Sequence, residues 1–187
     1  MMVKLQLILM FICICFAGAA PLPIDPMWST DSFRKAFTAS YGVDSRIEPK
    51  LSPEEKEQLD LVVKKMASGD RPGAIALMIK SPLLEKSPAM LFNLGSLQFE
   101  EGKSNQAMSN LRKALKIQPN FRDAHRNLAI AYVQAGDYKA AEPSLRRAIE
   151  LGSQDGLTMG LLGYCLSQSG RSHDALQAYR MAKLTMP

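Results

Sequence analysis

The stretch MLFNLGSLQFEEGKSNQAMSNLRKALKIQPN, residues 90–120, is followed by AHRNLAIAYVQAGDYKAAEPSLRRAIELGSQ at 124–154 and by TMGLLGYCLSQSGRSHDALQAYRMAKLTMP at 158–187. Aligned, the three share one register: Leu94-Gly95, Leu128-Ala129 and Leu162-Gly163 recur every 34 residues. Small residues keep step at Ala107, Ala141 and Ala175, and again at Ala114, Ala148 and Ala182. A fixed period of this length marks a helical repeat, in which stacked helix pairs share a continuous core. The paired alanines have a steric reason, because helix axes approach to about 8 Å only where the crossing side chains are small. Gly102, Gly136 and Gly170 fall at the turn inside each pair, where a positive φ costs little without a Cβ.

Working outward toward the N-terminus, Lys4 precedes an apolar run from Leu5 to Phe16 interrupted only by Gln6, and small residues follow. That layout is a signal peptide with Ala17-Gly18-Ala19 at the cleavage positions, and it is too short to cross a bilayer comfortably. Residues 1–19 are therefore expected to be removed and the chain exported to the periplasm or the extracellular space; an uncleaved membrane anchor is the alternative. Cleavage would leave 168 of 187 residues, a net charge of +4, and Cys165 as the one remaining thiol. A lone thiol forms no internal disulfide, so packing must hold the chain together. Cys165 lies in an apolar helical run and reads as a small buried hydrophobe. The mild positive charge is no footprint of a dedicated nucleic-acid binder.

Residues 20–51 divide into a proline-rich tether and a short helix capped by Ser29 or Thr30, with Phe33, Phe37 and Tyr41 spaced four apart on one face and Gly42 at its end. This helix is expected to cap the outer face of the first repeat, or else to occupy the chain's own binding groove. Ser52-Pro53-Glu54-Glu55 is a capping box that opens a helix running to about Ala67, with Leu59, Val62, Val63 and Met66 on one face. Gly69-Asp70 turns it into a shorter partner. Residues 52–87 read as a degenerate first repeat, since Gly69 to Gly102 is one residue short of the period. Residues 88–121, 122–155 and 156–187 are the regular units.

At these residues the chain resembles the tetratricopeptide repeat family. The first regular unit supplies Leu91, Leu94, Gly95, Ala107, Leu111, Ala114 and Pro119. The second supplies His125, Leu128, Ala129, Tyr132, Ala141, Leu145 and Ala148, and the third Met159, Leu162, Gly163, Ala175, Tyr179, Ala182 and Pro187. Gln98 and Leu166 stand in for an aromatic, and Ser153 for a proline. The signal and the aromatic lead are loosely similar to exported bacterial members. The resemblance implies an all-α, right-handed superhelical solenoid of antiparallel helix pairs. It also implies a concave face, lined by the first helix of each pair, that accepts a peptide or a partner helix. On this chain that groove falls at Phe92, Ser96 and Phe99, then Arg126, Asn127, Ile130 and Val133, then Gly160, Tyr164 and Ser167, with Ala89, Asp123 and Leu157 alongside. The set of Lys, Asn and Arg residues with which some members grip a terminal carboxylate is absent, apart from Asn127. Phe99 and Val133 have a second reading, as packing between neighbouring repeats.

Arg112, Arg146 and Arg180 recur at the same step, with Lys113 and Arg147 beside them, and form a basic stripe on the outer helices. Glu142 and Glu150, four residues to either side of Arg146, are expected to neutralise its middle rung. Such a stripe is a solvated face or a weak contact with an anionic envelope surface. His125 and His173 have no motif around them, Asp123 and Asp155 read as helix caps, and no catalytic, metal-ligating or cofactor-binding constellation is legible. The sequence therefore points to an exported, non-enzymatic adaptor or scaffold that binds a protein or peptide, without nucleic acid or cofactor. A holdase for exported proteins, or a recognition module of a larger envelope assembly, is the alternative. Leu184 and Met186 add self-association through the last repeat as a further expectation.

Overall fold

A computed structural model describes residues 47–185, so the leader, tether and aromatic-helix readings at residues 1–46 lie outside the described residues. Eight α-helices follow one another among the described residues: α1 (Pro53–Ala67), α2 (Arg71–Ile79), α3 (Pro88–Glu100), α4 (Ser104–Ile117), α5 (Arg122–Gln134), α6 (Tyr138–Glu150), α7 (Gly156–Gln168) and α8 (Ser172–Thr185). They pack in sequence as antiparallel pairs, α1 with α2, α3 with α4, α5 with α6 and α7 with α8, each pair resting on the next. The result is an all-α helical repeat.

The turn inside each pair is the same device four times. Gly69, Gly102, Gly136 and Gly170 have φ of 79°, 74°, 77° and 76°. The following amide reaches back across the helix end: Asp70 N–H to Lys65 O, Lys103 N–H to Gln98 O, Asp137 N–H to Tyr132 O and Arg171 N–H to Leu166 O, at 2.8–2.9 Å. This is the left-handed glycine stop that satisfies the last helical carbonyls. Its presence at Gly69 makes the first pair structurally one of the set. That pair differs in its second helix, α2, which has only 9 residues and is joined to α3 through a 3₁₀ turn at Leu84–Lys86.

Helix starts are fixed locally. Ser52 and Glu55 form the reciprocal box: the Glu55 amide donates to Ser52 Oγ at 3.2 Å and the Ser52 amide to Glu55 Oε2 at 2.7 Å. Asp70, Ser87, Asp137 and Asp155 cap α2, α3, α6 and α7. Asp123 is not a cap. It sits inside the first turn of α5, where its carboxylate takes the Arg122 Nε–H at 3.0 Å.

The core is assembled from three apolar clusters, each bridging neighbouring units. All six ladder alanines are at most 4% exposed, and Leu94, Leu128 and Leu162 are buried with them. The small residue after each leucine abuts the next helix. A Cβ on Gly95 would meet Leu111 Cγ at 3.0 Å and the Ala107 carbonyl at 3.1 Å, and one on Gly163 would meet the Tyr179 ring at 2.8 Å. On α1, Leu59, Val62 and Met66 face the core, but Val63 is 63% exposed. One residue step turns a helix by about 100°, which carries Val63 from the core side of α1 to its open side. Among the described residues no helix is long and apolar enough to cross a membrane.

Candidate partner-binding groove

The first helices of the three regular pairs, α3, α5 and α7, lie side by side, α5 touching both neighbours. Their shared face holds a small pocket of about 110 Å³ lined by Ser96, Phe99, Glu100, Leu111, Asn127 and Ile130. Four of the residues expected in the groove therefore converge on one hollow. Asn127 Nδ2 donates to Ser96 Oγ at 3.0 Å across the α3–α5 boundary, which orients both polar groups at the pocket wall.

The other expected positions scatter along the same face. Arg126 turns forward, its Nη2 lying 3.8 Å from Asp155 Oδ1 at the start of α7, while its buried Nε has no hydrogen-bond partner. Arg126 and Asn127 are thus neighbours in sequence that serve opposite boundaries. Gly160 faces open space, with no atom within 4 Å of where a Cβ would be. Ser167 is exposed. Tyr164 is 39% exposed and meets the Tyr138 ring edge-on, with centroids 5.4 Å apart and hydroxyls at 3.5 Å. That hydroxyl contact, more than charge, raises the Tyr138 phenol above its ordinary pKa.

Phe92 does more packing than lining. Its ring stacks at a tilt on the buried Phe121, centroids 4.8 Å apart, and it touches two core clusters. Phe99 and Val133 are half-buried and also rest on core clusters, so both of their readings meet in one geometry: inner side inter-unit packing, outer side groove wall. Ala89 is buried, and Asp123 is engaged by Arg122.

One contact had no signal in the sequence. Glu48, five residues before α1, accepts a hydrogen bond from Arg122 Nη2 at 2.6 Å, at the very start of α5 and 74 residues away. Burial, then the Asp123 charge, push the Glu48 carboxyl above its ordinary value, while Arg122 pulls it down. Ile47 and Pro49 on either side are half-buried as well.

The outer helices carry the basic stripe, and Arg112, Lys113, Arg146 and Arg147 on it are engaged. Arg112 Nη1 donates to the Tyr132 hydroxyl at 3.4 Å, Lys113 pairs with Glu85 at 2.7 Å, and Arg146 with Glu142 at 2.9 Å. Glu150 pairs with Arg147, three residues before it, at 2.7 Å and not with Arg146. His125 is half-buried, its Nε2 2.8 Å from the Pro119 carbonyl and its Nδ1 buried without a partner. Burial of the ring lowers its pKa, against the Pro119 bond. Cys165 is fully buried, and burial raises its thiol to about 11.

Residues 98–155 match the family model described as tetratricopeptide repeat. The chain is 32% identical over 84 residues to the type IV pilus assembly protein PilF of Pseudomonas aeruginosa, covering 45% of this chain and 33% of that protein. It is 27% identical over 130 residues to a peroxisomal targeting signal receptor of Candida albicans, covering 65% and 22%. The chain thus spans a third or less of the length of these curated relatives. Among solved structures, a crystal structure of MamA superposes with a TM-score of 0.64 at 21% identity over 70% of this chain and 77% of that one. MamA from Desulfovibrio magneticus RS-1 gives 0.64 at 20% identity over 71% and 76%. Repeat register, glycine-stopped helix pairs and these likenesses agree on a tetratricopeptide-type helical repeat, which the family model matches over residues 98–155.

Proposed function

We propose that this chain is a non-enzymatic interaction scaffold that holds a peptide or partner helix in the face formed by α3, α5 and α7. The observation that carries this reading is the pocket at the α3–α5 boundary, where apolar Phe99, Leu111 and Ile130 surround the Asn127–Ser96 hydrogen bond. A small apolar hollow with a few oriented polar groups is the form that ligand-accepting surfaces take. Its volume of about 110 Å³ is of the order of the ~150 Å³ cavity that admits a benzene ring, so it suits one aromatic or branched aliphatic anchor. Further along, exposed Tyr164 and Leu157 extend the apolar strip, and Arg126 offers a cation beside it. Anchors at i, i+3 or i+4 and i+7 of an amphipathic helix match such a strip. Burying each of two or three such side chains contributes roughly 1.5–3 kcal/mol.

The signal-peptide layout of residues 1–19 supports an exported protein acting in the cell envelope, and the likeness to a pilus assembly protein is consistent with that location. The test is a fluorescence-anisotropy titration of a labelled amphipathic helical peptide, selected on the full chain by display. Arg126→Glu combined with Tyr164→Ala should weaken binding at least tenfold while the chain keeps its helical circular-dichroism spectrum and a cooperative unfolding transition. Undiminished affinity in that variant would remove the groove from the reading.

A further inference from the structure

We propose that copies of this chain stack head to tail: the open face of α8 at one end of the array accepts α1 of a second copy, so that the succession of helix pairs continues from one molecule into the next. This face is separate from the α3–α5–α7 groove, and the inference does not rest on the groove reading.

The repeat register shows what a covered stacking face looks like. On α4, Leu111 is 1% exposed, because Phe121, Ala124 and Leu128 of the next unit share its cluster. One period on, Leu145 of α6 is fully buried with Met159, Leu162 and Cys165 of α7. The next residue in this series is Tyr179 of α8, and it is 41% exposed. Leu176, in register with Met108, is 42% exposed against 9%. Leu176, Tyr179, Arg180 and Lys183 stand at i, i+3, i+4 and i+7, which makes one stripe of α8, and all four are exposed. The last unit thus presents the surface on which its predecessors seat a following helix pair.

The surface that would sit there is found on α1. A unit rests on its predecessor through one stripe of its first helix, formed by Ala124, Leu128 and Ala131 on α5 and by Met90, Leu94 and Leu97 on α3. The spacing from Gly69 to Gly102 sets the first pair 33 residues before the second. The same stripe on α1 is therefore Glu57, Leu61 and Lys64, with Glu54 one turn earlier. All four are exposed.

Charge selects the pairing. Consecutive helices of the array run antiparallel, so the start of α1 meets the end of α8 in a continued stack. Glu54 and Glu57 then face Lys183 and Arg180, and Leu61 lies against Tyr179 as Leu128 lies against Leu111 in the array itself. Among the described residues, Arg180, Lys183 and Glu57 have no ion-pair partner that would compete. A tail-to-tail pair would instead set Arg180 and Lys183 of both copies against each other, and a head-to-head pair would do so with Glu54 and Glu57. Like charges at a contact select against both. A contact between two different surfaces is not used up in a dimer; it grows by addition unless it closes into a ring.

The experiment is sedimentation velocity of the full chain over a hundredfold range of concentration at low salt. Two charge-reversed chains accompany wild type: Arg180→Glu/Lys183→Glu at the tail, and Glu54→Lys/Glu57→Lys at the head. The wild-type sedimentation coefficient should climb with concentration. Each reversed chain alone should need at least tenfold more protein to reach the same value. An equimolar mixture of the two should recover wild-type behaviour, since the reversed tail of one meets the reversed head of the other, and this recovery separates an altered charge from a damaged fold. A wild type that stays monomeric, association indifferent to either reversal, or a mixture that fails to recover would each overturn the proposal. Association lost with the tail reversal but kept with the head reversal would overturn it too, in favour of a tail-to-tail dimer.

Discussion

Replacing Asp155 should expose how the second and third regular units are held together. Its carboxylate does four things: Oδ1 caps α7 by accepting the Thr158 amide at 3.0 Å and faces Arg126 at 3.8 Å, while Oδ2 accepts the hydroxyls of Thr158 at 2.8 Å and Ser153 at 3.0 Å. Ser153 and Thr158 are both buried and lie 3.1 Å from each other. In Asp155→Ala the cap is lost, at about 0.5–2 kcal/mol. The two hydroxyls can satisfy only one donor between themselves, which strands the other buried O–H at about 1–3 kcal/mol. The partly exposed Arg126 contact adds little. The sum is about 1.5–5 kcal/mol, a large part of a typical domain's stability. With a urea slope of about 2 kcal/mol/M the midpoint should fall by about 0.75–2.5 M. Asp155→Asn retains an accepting oxygen and should lose only about 1 kcal/mol. Burial raises the Asp155 pKa, but the Thr158 amide, the Thr158 hydroxyl, Arg126 and Ser153 outweigh it, and the net shift is downward. A depressed carboxyl stabilises fully above its unfolded value of about 3.9 and loses that contribution as pH falls through the lower folded value. The gap between wild type and Asp155→Asn should thus hold from pH 7 to 5 and close only below pH 4. A midpoint drop under about 0.3 M in Asp155→Ala, or a gap that closes near neutrality, would refute this reasoning.

Other positions give equally direct tests. Gly160→Ala should stabilise by about 0.8–1 kcal/mol, because the new Cβ enters open space and helix propensity improves. Gly163→Ala, three residues on, should cancel or reverse that gain by driving a Cβ against the Tyr179 ring, and equal urea midpoints for the two variants would contradict the packing. His125 is held below its ordinary pKa, so its neutral form is the stabilised one. Its contribution is complete above the unfolded value of about 6.5 and is lost as pH falls toward the folded value. Wild-type stability should therefore decline between pH 7 and 5 more steeply than that of His125→Gln, as read from thermal midpoints.

How much of this was readable beforehand depends on whether the determining contact was local or periodic. The helix pairs, their glycine stops and the buried alanine ladder all follow from a 34-residue register that geometry must obey. The Ser52–Glu55 box was readable because both halves lie within one turn. The family resemblance also marked the face bearing Ser96, Asn127 and Ile130, but it could not say what covers each residue on that face. Phe92 belongs to the stripe by spacing, yet Phe121, from the loop before α5, stacks on it. Asp123 and Asp155 both lie near a helix start, but only Asp155 caps one, because it stands one residue before α7 whereas Phe121 holds that place before α5 and Asp123 is already inside the first turn. Val63 was placed on the wrong face because apolar character alone does not distinguish adjacent residues of a helix. The Glu48–Arg122 clamp joins positions 74 residues apart with no repeat relation, and nothing local in either neighbourhood announces it.

The central claim is that recognition occurs on the α3–α5–α7 face. Its most direct test is quantitative capture from the native cell, comparing wild type with Arg126→Glu/Tyr164→Ala and with the outer-face variant Arg112→Glu, each confirmed to be folded. The account predicts one or two partners retained in fixed ratio by wild type and Arg112→Glu, and lost at least tenfold by the groove variant. Partners retained by the groove variant but lost with Arg112→Glu, or a broad spread of weakly held clients indifferent to both, would contradict it.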